Sequence, residues 1–225
     1  MKLNGRIYRL FRAPRSGLVR VHLGPGQRKY LQGWINVDAN VFTGKCDVWA
    51  NLSDGLPFLD NTVDAIYSHH VIEHLPDLDF HFREMFRVLK PGGAFRAGGP
   101  NGDNAIRQYL QGDTAWFSDF PVNRQTIGGR FENFIFCQRE HLTILTPSFL
   151  QELAEAAGFP VLRTVKPKAE THYPNLFDTA VLALEKESTP EVPHTLLMEG
   201  QKPKVIATNT FVTARPGNSV SSVER

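Results

Sequence analysis

A chain of 225 residues with 41% hydrophobic content holds enough apolar material for one sizeable core and too little for two comfortable domains. Its 25 Lys and Arg against 23 Asp and Glu leave a net charge of +2, which calls for neither nucleic acid nor an anionic membrane as partner. Two cysteines, Cys46 and Cys137, exclude a disulfide framework and a zinc ribbon, and no stretch approaches the roughly 20 apolar residues of a membrane span.

The chain begins with Lys2, Arg6, Arg9, Arg12, Arg15 and Arg20 and no acidic residue among them. Residues 1–18 are expected to form a basic arm, either solvated or anchoring an acidic partner. No apolar run follows these charges, so no secretory signal is expected and the protein is placed in the cytoplasm. Strand-length apolar runs recur at 19–24, 33–38, 45–50, 62–68 and 93–98, continuous as in strands buried on both faces. Between the last two, Leu78, Phe82, Met85 or Phe86, and Leu89 recur at helical spacing. Asp77 or Asp79 supplies the cap and Lys90-Pro91-Gly92-Gly93 the stop.

Residues 101–140 are too long for a plain connection and rich in rings: Tyr109, Trp116, Phe117, Phe120, Phe131, Phe134 and Phe136. Such a segment is expected to be a lid or binding insert, part of whose rings pack it onto the sheet. A second helix starts at Thr146 with Pro147 in its first position, carries an apolar stripe from Phe149 to Ala157 and ends at Gly158. Residues 160–166 and 178–185 then predict two more strands. From 187 to 225 the composition turns to Pro, Ser and Thr, an extension without a core of its own. Within it, 205–213 is able to add a strand to a sheet edge, including across a homodimer. Alternation of this kind predicts an α/β fold, a mostly parallel sheet with helices on both faces.

The first strand runs into Gly24-Pro25-Gly26 and the second ends in Asp38. Glycines let the backbone approach a ligand, and a carboxylate at the neighbouring strand tip accepts from ribose hydroxyls. The third glycine of a dinucleotide fingerprint is missing, and Asp38 arrives sooner than the spacing of about 20 residues that fingerprint needs. With no helical pattern between Gly26 and Gly33, little dipole is available for a pyrophosphate. A ribose carrier without phosphates fits better, and S-adenosylmethionine (SAM) is one.

Four segments in this order carry a resemblance: Leu23 to Asp38; Asn51-Leu52 with Leu56-Pro57-Phe58; Val63 to Leu75; and Arg83-Glu84 leading into Arg87 to Gly93. Together they resemble the class I SAM-dependent methyltransferases, especially the compact methyltransferase type 11 branch. The likeness is dense over 19–101 and weaker over 141–186. It implies a SAM-binding domain over 19–186 with a Rossmann-like, seven-stranded sheet whose last strand is antiparallel. Gly24, Pro25 and Gly26 would then face the methionine part of SAM, and Asp38 would hold the ribose by charge-assisted bonds. Asn51 and Leu52 would flank the adenine. Asn51 stands where relatives often carry Asp, and its amide oxygen still accepts from the adenine amine. Ser68, His69 and His70 would lie nearest the sulfonium.

His70-Val71-Ile72-Glu73-His74 also matches a zinc-peptidase pattern. Pro76 truncates the segment, however, and that chemistry needs both histidines on one helix face, so no metal is expected and His74 reads as structural. Ser68-His69-His70-Val71 replaces the segment that a DNA amino-methyltransferase carries after this strand, which favours a small-molecule acceptor over nucleic acid. A hydroxyl or ammonium acceptor must lose a proton; His70 and His141 are the candidates, with His69 a third. Asn101, Tyr109 and Trp116 are candidate acceptor contacts, with Arg107 or Arg124 for an acidic acceptor. Methyl transfer to oxygen or nitrogen of a small metabolite, such as a sugar or specialised-metabolism intermediate, is the leading expectation. Two alternatives remain: SAM chemistry that releases methylthioadenosine by cyclisation or aminocarboxypropyl transfer, and a non-catalytic SAM-fold subunit that binds a partner.

Overall fold

In the computed structural model, which describes residues 3–11, 17–40, 42 and 44–204, the apolar runs pair into a single sheet. Its strands are β1 (Leu3–Asn4), β2 (Arg20–Leu23), β3 (Ile35–Asp38), β4 (Val48–Trp49), β5 (Val63–His69), β6 (Leu89–Pro100), β7 (Leu162–Val165) and β8 (Thr195–Gln201). They lie in the order β1-β4-β3-β2-β5-β6-β8-β7. Strands β1 to β6 pair parallel, and β8 is antiparallel to both β6 and β7. Six of the seven expected strands are thus β2 to β7; the seventh is β8, at a different place in the chain, and the two-residue β1 is added at the edge.

Strand order reverses at β2, which has β3 on one side and β5 on the other. Ligands in open parallel sheets bind outside the carboxyl ends of the strands at such a point. Gly24, Asp38, Ser68 and His69 all sit there because each ends or follows a buried run.

One face is covered by α2 (Leu78–Val88) and α5 (Pro147–Ala157). Asp77 caps α2 by accepting from Phe80 N, and Thr146 caps α5 by accepting from Phe149 N. Their stripes bury Phe82, Met85, Leu150 and Leu153 against Leu23, Ile66 and Phe95 of the sheet. Each such side chain contributes about 1.5–3 kcal/mol. The other face carries turns and the short α6 (Thr179–Leu182), which bring Leu31, Trp34, Phe177 and Val181 onto Tyr67. The insert contains α3 (Gly102–Gln111) and α4 (Ile127–Phe136), with a small core of its own around Trp116, Phe117 and Ile135.

Three expectations are corrected. Residues 178–185 do not form the closing strand; Asp178 caps α6 by accepting from Ala180 N and Val181 N. The closing strand is β8, inside the segment expected to lie outside the core, and Leu196, Leu197 and Met198 are buried there. Nor are residues 3–11 a free arm: β1 pairs with β4, α1 (Gly5–Phe11) follows it, and Tyr8 packs edge-on against Phe58. Residues 205–213, and with them the homodimer reading, lie outside the described residues, as do Arg12 and Arg15.

Buried Arg96 of β6 locks the second face. Its guanidinium binds Glu185 at 2.6 and 2.7 Å, Glu199 at 2.7 Å and the Glu170 carbonyl at 2.9 Å. Burial alone would lower its pKa, but the bonds to Glu185 and then Glu199 outweigh it and raise it. The remaining lone pairs of both carboxylates take Lys168 N, Thr171 Oγ1 and His172 N, so the cluster is hydrogen-bonded throughout.

Candidate active site

The loop after β2 turns through two left-handed glycines, Gly24 at φ +64 and Gly26 at φ +56. A side chain on Gly24 would collide with Val71 Cγ2, whereas among the described residues nothing lies within 4 Å of the Cβ position of Gly26. Gly26 N donates to Asp38 Oδ2 at 2.9 Å and Asn40 N to Asp38 Oδ1 at 2.7 Å. Two backbone donors therefore fix the half-buried carboxylate while each oxygen keeps a second lone pair. Lys45 N donates to Gly26 O at 2.8 Å and closes the β3–β4 connection over the loop.

Asn51 is exposed and caps the turn at 52–54, its Oδ1 accepting from Ser53 N, while Leu52 is buried beneath it. Asn51 also lines a cavity of about 430 Å³ with Asn4, Gly5, Trp49 and Asp54. At the tip of β5, Ser68 is fully buried and its Oγ has no hydrogen-bond partner among the described residues. His69 accepts at Nδ1 from Lys29 Nζ, 2.9 Å away, which assigns its proton to Nε2; that atom is buried without a partner. Burial first, then His70 and Lys29, hold the His69 imidazole far below the ordinary range. The ring therefore presents an N–H rather than a lone pair at Nε2.

His70 follows in a left-handed conformation, φ +57, an uncommon geometry for a residue with a side chain. Its Nδ1 lies 3.0 Å from Oε1 of Glu73, whose side chain is wholly buried, and its Nε2 is 3.2 Å from Thr195 Oγ1. The carboxylate accepts, so Nδ1 carries the proton and Nε2 presents a lone pair. His74 and His141 stand on the other side of Glu73, ring centroids 4.9 Å apart. Burial chiefly lowers the His141 pKa. The two histidines expected at the site are thus gathered around one buried carboxylate.

His70 lines a second cavity, about 410 Å³, together with Phe134 of the insert, Lys168, Lys186, His194 and Thr195. Glu187 anchors this wall. Burial alone would raise its carboxyl, but bonds from His194, Thr189 N and Thr195 N hold it at about 2.

The expected acceptor contacts stand elsewhere. Asn101 is buried and caps α3 by accepting from Asn104 N. Trp116 is buried, donates from Nε1 to Val192 O at 2.8 Å and stacks on His194 at 4.3 Å, so it backs the wall rather than forming it. Arg107 and Tyr109 are exposed on α3, Tyr109 against the Phe131 ring. The residues that sequence reasoning missed, Lys29, Lys168, Lys186, His194 and Thr195, share no motif. Antiparallel β8 carries Thr195 to the end of β6, where Pro100 is its partner.

Comparison with known proteins agrees with this fold. Residues 4–97 match the family described as a methyltransferase domain. A SAM-dependent methyltransferase from Archaeoglobus fulgidus superposes with a TM-score of 0.53 at 16% identity, covering 83% of this chain and 87% of that one. A phosphoethanolamine N-methyltransferase from Haemonchus contortus, solved with SAM, gives 0.50 at 14% identity over 88% of this chain and 51% of that one. In sequence, a sterol 24-C-methyltransferase of Aspergillus fumigatus is 50% identical over 70 residues, 31% of this chain. That match spans only 16% of the relative's own length. The matched segment is thus similar to methyltransferase domains, and the sheet built on it has the fold of solved SAM-dependent methyltransferases. Among the described residues no helix is long and apolar enough to cross a membrane.

Proposed function

We propose that this chain transfers a methyl group from SAM to an oxygen or nitrogen atom of a small polar metabolite held beneath the insert at 101–140, in the cytoplasm. The observation that carries this reading is the juxtaposition at the tip of β5. Ser68 Oγ and His69 Nε2, buried without partners, adjoin His70, which opens onto the second cavity. A cavity near 410 Å³ suits a metabolite-sized ligand.

The chain's residues fit the cofactor. The open space over Gly26 admits the backbone-facing part of a ligand, and Asp38 has lone pairs left for a vicinal diol. Pro25 stiffens the loop, Asn51 and Leu52 flank the adenine side, and Ser68 and His69 offer the buried hydroxyl and N–H. When bound, SAM supplies an electrophilic methyl group on a sulfonium whose leaving group is a neutral thioether. What remains for the protein is alignment, about 7–11 kcal/mol when two reactants are well oriented, and removal of the acceptor's proton.

His70 suits that second task. Glu73 orients its imidazole through Nδ1, as the third member of a catalytic triad orients its histidine, with Nε2 beside Thr195 Oγ1 at the cavity wall. Lys168 and Lys186 favour an acceptor bearing a carboxylate or phosphate. His141, Tyr109, Asn101 and Trp116 support the site by shaping the insert and its junction with the sheet.

Incubation with SAM and a panel of anionic hydroxylated or amino metabolites tests the reading. S-adenosylhomocysteine should form in an acceptor-dependent way, and His70→Gln should depress turnover with SAM affinity retained. Release of methylthioadenosine instead would replace this reading with cyclisation or aminocarboxypropyl transfer.

A further inference from the structure

We propose that Glu73, His74 and His141 bind one divalent transition-metal ion of the zinc class. Their ligand atoms all lie within 4.8 Å of one another. Three features make this a built site rather than a chance grouping.

The tautomers come first. His74 Nδ1 is 2.8 Å from the Glu140 carbonyl and His141 Nδ1 is 2.9 Å from the Ile135 carbonyl. A carbonyl only accepts, so each Nδ1 carries a proton and Nε2 is left as the ring's ligand atom, that of His74 facing Glu73. Such a bond from the remote ring nitrogen is the usual support of a metal-bound histidine.

Charge comes second. Glu73 is wholly buried, its Oε2 has no hydrogen-bond partner among the described residues, and its Oε1 accepts from His70 Nδ1. His74 Nε2 faces Oε1 at 3.9 Å, too far for a hydrogen bond. His74 Nε2, a ring nitrogen of His141 and the buried carboxylate thus converge within 4.8 Å, a set of three ligand atoms that one cation can bridge.

The third feature is fixed geometry with an open side. Leu142 N donates to Glu73 O at 2.8 Å, tying the His141 segment to the 72–74 turn. His74 has a side chain 40% exposed, leaving an entry path and positions for water. Three protein ligands with open positions match catalytic rather than structural zinc sites. Two imidazoles and a carboxylate select borderline ions over calcium or magnesium. The H-x-x-E-H pattern therefore contributes its Glu and second His, while the third ligand comes from His141 and His70 bonds the carboxylate from behind.

The test uses the full chain, stripped with chelator and titrated with Co²⁺ by visible absorption and with Zn²⁺ by calorimetry. One ion per chain should bind, with a ligand-field spectrum of low coordination number, and His74→Ala and His141→Ala should each abolish it without changing the metal-free unfolding temperature. If His141→Ala fails to fold, the exposed His74→Ala decides alone. No uptake by the wild type, or one-to-one uptake indifferent to the substitutions, overturns the site. SAM titration of the same samples reads the methyltransferase proposal separately, so either can fail without the other.

Discussion

Replacing Gly24 and Gly26 in turn by alanine separates backbone strain from ligand contact in one loop. Both residues sit at positive φ, where an L side chain costs roughly 1–2 kcal/mol. At Gly24 the new methyl also collides with Val71 Cγ2, and overpacking of this kind adds about 1–3 kcal/mol. Gly24→Ala should therefore lose about 2–5 kcal/mol. For a chain of this size that lowers Tm by roughly 5–20 °C. Gly26→Ala meets nothing within 4 Å, so it should lose only the strain, about 1–2 kcal/mol. The order reverses for the cofactor, because the methyl of Gly26→Ala occupies the space over the loop. Thermal unfolding by circular dichroism and SAM titration of both variants are the assays. Equal stabilities, or a Gly26→Ala protein that binds SAM like the wild type, would refute the reasoning.

Arg96→Met leaves Glu185 and Glu199 buried without their cation and should destabilise by about 3–5 kcal/mol in urea unfolding; a loss below 1 kcal/mol, on the order of a surface pair, would show that the cluster is not locking the second face. Ser68→Ala removes a buried hydroxyl that has no partner, so the metal- and ligand-free protein should unfold no earlier, while SAM affinity falls about 5-fold. Acid should destabilise the fold through His22 and His81, both held at about 4 chiefly by burial. Their folded pKa values lie below the unfolded 6.5, so the unfolded chain takes up protons first as pH falls. Stability should drop between pH 6.5 and about 4 by up to roughly 1.4 kcal/mol per pH unit for each histidine, and His81→Leu should flatten the curve. A flat profile over that range contradicts their neutral burial.

How far the fold could be read varies with the local signal. Helices α2 and α5 were legible because cap, stripe and stop agree in each. Strand β8 was not: its only apolar run is Leu196-Leu197-Met198, and its stability comes from lying between β6 and β7 rather than from its own pattern. The stretch Val181 to Leu184 misled for the opposite reason, since a short apolar run fits a buried strand and a helical turn equally. At the site, Gly24, Gly26 and Asp38 were visible through spacing, and His70 and His141 through resemblance. Their meeting at Glu73 was hidden, because Leu142 reaches the Glu73 carbonyl only after the insert has folded back. Thr195 and Lys186 join from more than a hundred residues away, beyond the reach of any local pattern.

The most direct test of the account is calorimetric titration of SAM into the wild type and Asp38→Asn. Asparagine keeps one acceptor for the backbone donors at Gly26 and Asn40 but loses the charge that strengthens bonds to a ribose diol. A loss of about 1.5–3 kcal/mol predicts binding weaker by roughly 10- to 100-fold in a protein that still unfolds cooperatively. Unchanged affinity in such a protein would contradict the claim that this carboxylate holds the cofactor at the strand tips.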